Sequence, residues 1–118
     1  MDAQAEELMR YVDKIINSNV LVIVEGKKDK TALNKLGIAN IIELNKKPIF
    51  EIVENIANNE KECIILTDLD KEGKKLYGKL NSELQKNGVR INNKFRGFLF
   101  KHTKLRHIEG INTYFDKR

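Results

Sequence analysis

The sequence predicts an α/β protein with an open, mainly parallel sheet of about four strands and helices on both faces. Apolar runs of four or five residues, typical of strands buried on both faces, alternate with segments of helical periodicity. The chain has 118 residues, which is the length of one domain, and 41% of them are hydrophobic. A single proline and a single cysteine give no sign of a linker or a disulfide framework. We therefore expect one domain.

The first half of the chain begins with a helix and then alternates strand and helix. Residues 3–16 place apolar side chains on one helical stripe, and the run of aliphatic residues at 20–24 predicts a buried strand. A short helix over 29–36 follows, with Asp29 expected at its N-cap. A second strand is predicted over 40–44.

The second half continues the alternation and then becomes harder to interpret. A helix from Pro48 to Ala57, a buried strand over 63–66 and a helix over 73–86 are predicted in turn, and Val89 and Ile91 begin a fourth strand. The last three predictions are a helix within 92–102, a short strand over 105–108 and a closing turn or helix over 111–115.

Carboxylates follow two of the predicted strands. Glu25 comes directly after the first strand, and Asp68 and Asp70 follow the third. Sites in parallel sheets form beyond the carboxyl ends of the strands, and two hard oxygen ligands aimed at one point suit Mg²⁺. Three clustered negative charges predict either a bound cation or a raised pKa on one carboxyl group, which could then act as a general acid or base. The alternative is that both aspartates are turn and helix-capping residues.

Basic residues are concentrated in the second half. Residues 1–70 hold 9 Lys/Arg and 13 Asp/Glu, whereas residues 71–118 hold 13 Lys/Arg and 4 Asp/Glu. This asymmetry suits a polyanionic partner, although a lysine-rich solvated surface explains it equally well. The candidate phosphate contacts are Lys27, Lys28, Lys71, Lys75, Lys79, Arg96 and Arg106. His102 and His107 lack the neighbours of a zinc site. His107 is near the end of a predicted strand and could approach the carboxylates, but we expect a structural or surface role for it.

Two motifs carry a resemblance to a known family. The segment V-I-V-E-G-K-K-D at residues 22–29 precedes I-I-L-T-D-L-D-K-E-G at residues 64–73. In order and context these resemble the Glu-Gly and Asp-x-Asp motifs of the Toprim domain, which bacterial-type primases, topoisomerases and several nucleases share. The resemblance covers residues 18–110, leaving an N-terminal helix at 1–17 and a tail at 111–118. The chain looks most like the small stand-alone, primase-like Toprim proteins of archaea.

The resemblance implies roles for five residues. Glu25 would exchange a proton with a reacting oxygen and contribute to the metal site. Asp68 and Asp70 would coordinate Mg²⁺, with Mn²⁺ as an alternative. Gly26 and Gly73 would let the backbone pass close to the site. The implied activity is that of a metal-dependent nuclease or nucleotidyltransferase acting on RNA or DNA.

Two other function classes stay open. The chain could be a non-catalytic RNA- or DNA-binding module, acting as a homodimer or as a subunit of a larger complex because its surface is small. A phosphohydrolase of the haloacid-dehalogenase type is a weaker alternative, since it needs an aspartate where this chain has Glu25. The lone cysteine and the absence of a long apolar run predict a cytoplasmic protein without a membrane span.

Overall fold

The computed structural model describes residues 2–116. Met1, Lys117 and Arg118, at the ends of the predicted segments 1–17 and 111–118, lie outside the described residues. The elements in chain order are α1 (Ala3–Ser18), β1 (Leu21–Val24), α2 (Lys27–Lys35), β2 (Ile41–Glu43), α3 (Ile49–Asn59), β3 (Glu62–Ile65), α4 (Lys71–Lys86), β4 (Arg90–Ile91), α5 (Lys94–His102), a 3₁₀ helix (Ile108–Gly110) and α6 (Ile111–Asp116).

The four strands form one parallel sheet in the order β2-β1-β3-β4. Strand β1 lies in the centre, where Val22 is in register with Ile41 of β2 and with Ile64 of β3. All four residues of β1 are buried, as the uninterrupted aliphatic run predicts. The predicted fold class is confirmed.

Helices cover both faces of the sheet, because successive side chains of each strand point to opposite sides. Val22 and Val24 face one core cluster, which includes buried residues of α1, α2, α5 and α6. Leu21 and Ile23 face the other, which is built by α3 and α4. With helices packed on both faces, the paired strands β1 and β3 have their carboxyl ends side by side at one edge of the sheet.

Two helices begin earlier than the sequence predicts. Helix α2 begins at Lys27 with Gly26 as N-cap, and the Asp29 carboxylate accepts a hydrogen bond from the Gly26 N–H at 3.1 Å. Asp29 therefore stabilises the helix start from its third position, not from the N-cap. Helix α4 begins at Lys71, with Asp70 as its N-cap.

The prediction of a strand over 105–108 is wrong. Residues 103–107 are irregular, and Ile108 begins the 3₁₀ helix. The apolar residues that suggested a strand, Leu105 and Ile108, pack instead into the cluster beneath α1 and α2. The helices predicted within 92–102 and over 111–115 are present as α5 and α6. Across residues 2–116, no helix is both long enough and apolar enough to span a membrane.

Candidate functional site

The two acidic motifs meet at the carboxyl edge of the sheet. The Glu25 carboxylate, one residue beyond β1, accepts a hydrogen bond from the Asp68 main-chain N–H at 2.7 Å. Burial raises the pKa of Glu25 above its ordinary value, and the negative charges of Asp68, Asp70 and Asp29 raise it further against the opposing effect of this hydrogen bond. The sequence argument anticipated a raised pKa in this cluster.

The two aspartates each have one oxygen held by the main chain. Asp68 Oδ1 accepts from the Ile108 N–H at 2.8 Å, and Asp70 Oδ1 caps α4 by accepting from the Gly73 N–H at 2.8 Å. The second oxygens point toward one imidazole, with His107 Nδ1 at 3.3 Å from Asp68 Oδ2 and at 3.9 Å from Asp70 Oδ2. The capping role that the sequence left open for Asp70 therefore coexists with a second, outward-facing oxygen.

These three side chains form a group that fits a divalent cation. One ligand atom from each of Asp68, Asp70 and His107 lies within 4.8 Å of the others. Two carboxylate oxygens and one imidazole nitrogen form a donor set that divalent metal ions accept. Glu25, which the resemblance placed among the metal ligands, contacts the main chain of Asp68 and is not part of this group.

His107, for which the sequence favoured a structural or surface role over an approach to the site, lies beside the two aspartates. It reaches the site because both of its neighbours are bonded to the loop of residues 66–70, which carries the aspartates. The Leu69 N–H donates to the Arg106 carbonyl at 2.7 Å, and the Ile108 N–H donates to the Asp68 carboxylate. The Asp68 carboxylate raises the pKa of His107. No local motif signals this contact, since 39 residues separate the two side chains along the chain.

Arg96 differs from the prediction that it contacts phosphate. Its side chain is buried, with 8% exposure, and its guanidinium donates to the main-chain oxygens of Ile65 (3.4 Å) and Thr67 (2.5 Å). Main-chain pairing between β3 and β4 ends where the Asn92 N–H reaches the Cys63 carbonyl, so Arg96 occupies the position that a longer β4 would fill. Six Lys and Arg residues lie within residues 90–106, and charge alone does not tell which of these side chains points inward, so the sequence concealed this role.

The rings of Tyr77 and Phe100 enclose the Arg96 guanidinium, with centroids 4.5 and 5.0 Å from its central carbon. Such contacts stabilise a desolvated cation. Burial lowers the pKa of Arg96, and the nearby acidic groups oppose that effect. From its buried position, Arg96 thus stabilises the loop that carries Asp68.

Gly73 lies against the site loop, but Gly26 does not. A Cβ at Gly73 would lie 2.0 Å from the Asp68 carbonyl oxygen, so only glycine fits there without displacement of the backbone. The buried Thr67 hydroxyl, which sequence reasoning missed, donates to the Gly73 carbonyl at 2.7 Å and fixes this approach. A Cβ at Gly26 would meet no atom within 4 Å, so the expected close approach of backbone at that position is not found.

A cleft of about 560 Å³ opens beside Glu25 and Asp68. The predicted residues Lys27 and Lys28 line it, together with two lysines that the sequence did not single out, Lys46 and Lys47. The loop after β2 brings these two lysines in, because the Asn45 N–H donates to the Glu25 carbonyl at 3.0 Å. The rule that sites form beyond strand ends could have found them.

The remaining predicted phosphate contacts are exposed. Lys71, Lys75 and Lys79 lie along α4. Lys71 directly follows the Asp70 cap, and Lys79 lies about 12 Å further along the helix axis at ~1.5 Å per residue. Arg106 is exposed next to His107. Lys79 lines a different groove, between α3 and α4, away from the carboxylates of the site.

The fold and the site define an α/β protein with a carboxylate centre at the carboxyl edge of a parallel sheet. A family model of the Toprim domain matches residues 19–93. The chain belongs to the Toprim domain family, as the two motifs predict. Membership suggests a metal-dependent function related to nucleic acids.

Similar proteins share nearly the whole length of the chain. A UPF0292 protein of Methanocaldococcus jannaschii is 33% identical over 99% of this chain and 96% of its own length. A UPF0292 protein of Pyrococcus abyssi is 37% identical over 89% of this chain and 79% of its own length. Among solved structures, a putative protein from Aquifex aeolicus superposes with a TM-score of 0.78 at 33% identity, covering 88% of this chain and 94% of that one. The chain thus resembles small archaeal Toprim proteins.

Proposed function

We propose that the chain is a metal-dependent enzyme that breaks or forms phosphodiester bonds in nucleic acid, as a nuclease or a nucleotidyltransferase. The observation that supports this most directly is the contact between Glu25 and the Asp68 main chain. It joins a carboxyl group of raised pKa to a pair of aspartates whose Oδ2 atoms converge on His107. A carboxyl group of raised pKa keeps its proton to higher pH than an ordinary glutamate, which suits it to general acid–base catalysis.

Each acidic residue has a distinct role in this proposal. Asp68 and Asp70 hold Mg²⁺ or Mn²⁺, and the bound ion supplies neutralisation of phosphate charge. Glu25 takes a proton from, or gives one to, the oxygen of the attacking or leaving group. The main-chain N–H groups that bind the aspartate Oδ1 atoms keep both carboxylates in fixed orientations before any substrate arrives.

Turnover and binding, measured together, test the catalytic role of Glu25. End-labelled single-stranded and duplex RNA and DNA are incubated with Mg²⁺ and with wild type, Glu25→Gln or the control Glu51→Gln, which changes an exposed glutamate on α3. We expect Glu25→Gln to lower turnover by about 10²- to 10⁴-fold while nucleic-acid affinity is retained. Turnover at the wild-type rate in Glu25→Gln would contradict the catalytic assignment.

The metal assignment has a separate test. Mg²⁺ should raise the melting temperature of wild type, and Asp68→Asn combined with Asp70→Asn should abolish the rise because the ligand charges are gone. Asparagine still serves as an N-cap, so the start of α4 is preserved. Equal Mg²⁺-induced shifts in the variant and wild type would reject the assignment.

A non-catalytic RNA- or DNA-binding module is the second candidate, and the observation that favours it is the group of four lysines that lines the cleft together with five carboxylates. Changing Lys27, Lys28, Lys46 and Lys47 to Gln should reduce the slope of log affinity against log salt by about 0.7–0.9 for each phosphate that the variant no longer neutralises. The control changes Lys35 and Lys61, exposed lysines at the opposite end of α2 and before β3. Binding in the cleft without turnover on any substrate would favour the module.

A further inference from the structure

We infer that His107 is a third ligand of the metal ion at Asp68 and Asp70, and that the site prefers a transition-metal ion such as Mn²⁺ to Mg²⁺. This inference rests on the proposed function for the presence of an ion at the aspartates. It adds a nitrogen donor that neither acidic motif contains, supplied by the irregular segment before the 3₁₀ helix.

The positions of the three donor atoms support this assignment. Ligands bound to one ion at about 2.1 Å are separated by about 3.0 Å at octahedral angles and about 3.4 Å at tetrahedral angles. His107 Nδ1 lies 3.3 Å from Asp68 Oδ2 and 3.9 Å from Asp70 Oδ2. Coordination therefore requires the separation between His107 and Asp70 to shorten by about 0.5 Å at tetrahedral angles or about 0.9 Å at octahedral angles, a shift open to these two partly exposed side chains.

The orientation of the carboxylates supports it independently. Each aspartate uses Oδ1 for a main-chain N–H, which leaves Oδ2 as the atom directed to the imidazole. Hydrogen bonds of this kind orient metal ligands in known sites. The backbone on both sides of His107 is itself fastened to the Asp68 loop, through the Arg106 carbonyl and the Ile108 N–H. His107 is therefore positioned by the same loop that presents the aspartates.

The donor set determines which ions bind best. Mg²⁺ prefers oxygen ligands and water, whereas an imidazole nitrogen adds affinity for first-row transition metals. A site with two carboxylates and one imidazole should bind Mn²⁺ more tightly than Mg²⁺, and the histidine should account for most of the difference. The competing interpretation is a plain ion pair between His107 and Asp68, in which the imidazole blocks the metal.

The experiment uses the whole metal-free chain and Mn²⁺ as the probe. Affinities for Mn²⁺, and for Mg²⁺ by competition, are measured by electron paramagnetic resonance in wild type, His107→Gln and the control His102→Gln. His102 is the other histidine of the chain, and it is exposed at the end of α5, where its ring packs at a tilt against Phe98. We expect His107→Gln to weaken Mn²⁺ binding about 10- to 100-fold and Mg²⁺ binding by less than about threefold.

A direct spectroscopic readout accompanies the affinities. Pulsed measurements on bound Mn²⁺ should detect coupling to an imidazole ¹⁴N in wild type and in His102→Gln, and the coupling should vanish in His107→Gln. Wild-type protein that binds Mn²⁺ without nitrogen coupling would overturn the inference and leave the proposed metal site at the aspartates intact. Wild-type protein that binds neither ion would overturn the inference together with the proposed function. The wild-type spectrum decides the question even if His107→Gln folds poorly.

Discussion

The contact between Gly73 and the Asp68 loop makes a sharp prediction about stability. In Gly73→Ala the new methyl group would lie 2.0 Å from the Asp68 carbonyl oxygen, whereas real Cβ contacts stay above 3.0 Å, so backbone must shift by at least about 1.0 Å. That backbone is held by the Thr67 hydroxyl on one side and by the Glu25 carboxylate on the other. We expect the strain to relax at the expense of one of these hydrogen bonds.

The magnitude follows from these two costs. Forced overpacking costs about 1–3 kcal/mol, and a broken buried hydrogen bond adds about 1 kcal/mol, so we expect Gly73→Ala to lower the free energy of unfolding by about 2–4 kcal/mol. For a chain of this size that corresponds to a fall in melting temperature of roughly 3–5 °C per kcal/mol. Urea unfolding followed by circular dichroism measures the change.

The same helix supplies a matched control. A methyl group added at Gly78, also in α4, would meet no atom within 4 Å, so Gly78→Ala should raise the free energy of unfolding by about 0.5–1 kcal/mol through helix propensity. Opposite signs for the two substitutions are the expected result. If Gly73→Ala proves as stable as Gly78→Ala, the close approach of α4 to the Asp68 loop is wrong.

Three further predictions concern buried polar groups and pH. Arg96→Met should lower the free energy of unfolding by about 2–4 kcal/mol in urea titrations, because it leaves buried carbonyl oxygens, including that of Thr67, without a donor. Thr67→Val should cost only about 1 kcal/mol in the same assay, since the Gly73 carbonyl also lies in the first turn of α4 and can accept from the helix. Glu25→Gln should gain stability relative to wild type as pH rises above 4.5 in metal-free protein, as unfolding curves at several pH values would show.

The sign of the pH effect follows from the raised pKa of Glu25. Folded protein binds this proton more tightly than unfolded protein, so the contribution of Glu25 to wild-type stability falls as pH rises from the ordinary pKa of 4.5 through the folded pKa. Glutamine cannot titrate, but its side-chain oxygen still accepts the hydrogen bond from Asp68. A stability difference between Glu25→Gln and wild type that stays constant with pH would contradict the raised pKa. Equal free energies of unfolding for Arg96→Met and wild type would contradict the support that Arg96 gives to β3.

The fold could be predicted because its signals are local. Five consecutive aliphatic residues around β1 indicate burial on both faces, and apolar stripes indicate the helices. Glu25 and Asp68 could also be paired, since strand ends of a parallel sheet share an edge. The predicted strand at 105–108 failed because a short apolar run does not reveal whether it pairs with a strand or packs on a helix.

Contacts that depend on the assembled fold could not be predicted. His107 meets Asp68 across 39 residues, and Arg96 meets Thr67 across 29, with no spacing rule that links either pair. A basic side chain in a basic tract gives no sign that it faces inward. The sequence therefore located the acidic motifs, but the histidine beside them and the buried arginine beneath them needed coordinates.

The shortness of β4 has a consequence for self-association. An outer strand with free N–H and C=O groups is a template on which another chain can add a strand. Here only two residues of β4 pair with β3, and beyond them the Arg96 guanidinium covers the oxygens of Ile65 and Thr67 that an incoming strand would need. The arginine thus protects this border of the sheet from intermolecular β-pairing, and its loss would expose the protein to aggregation as well as to unfolding.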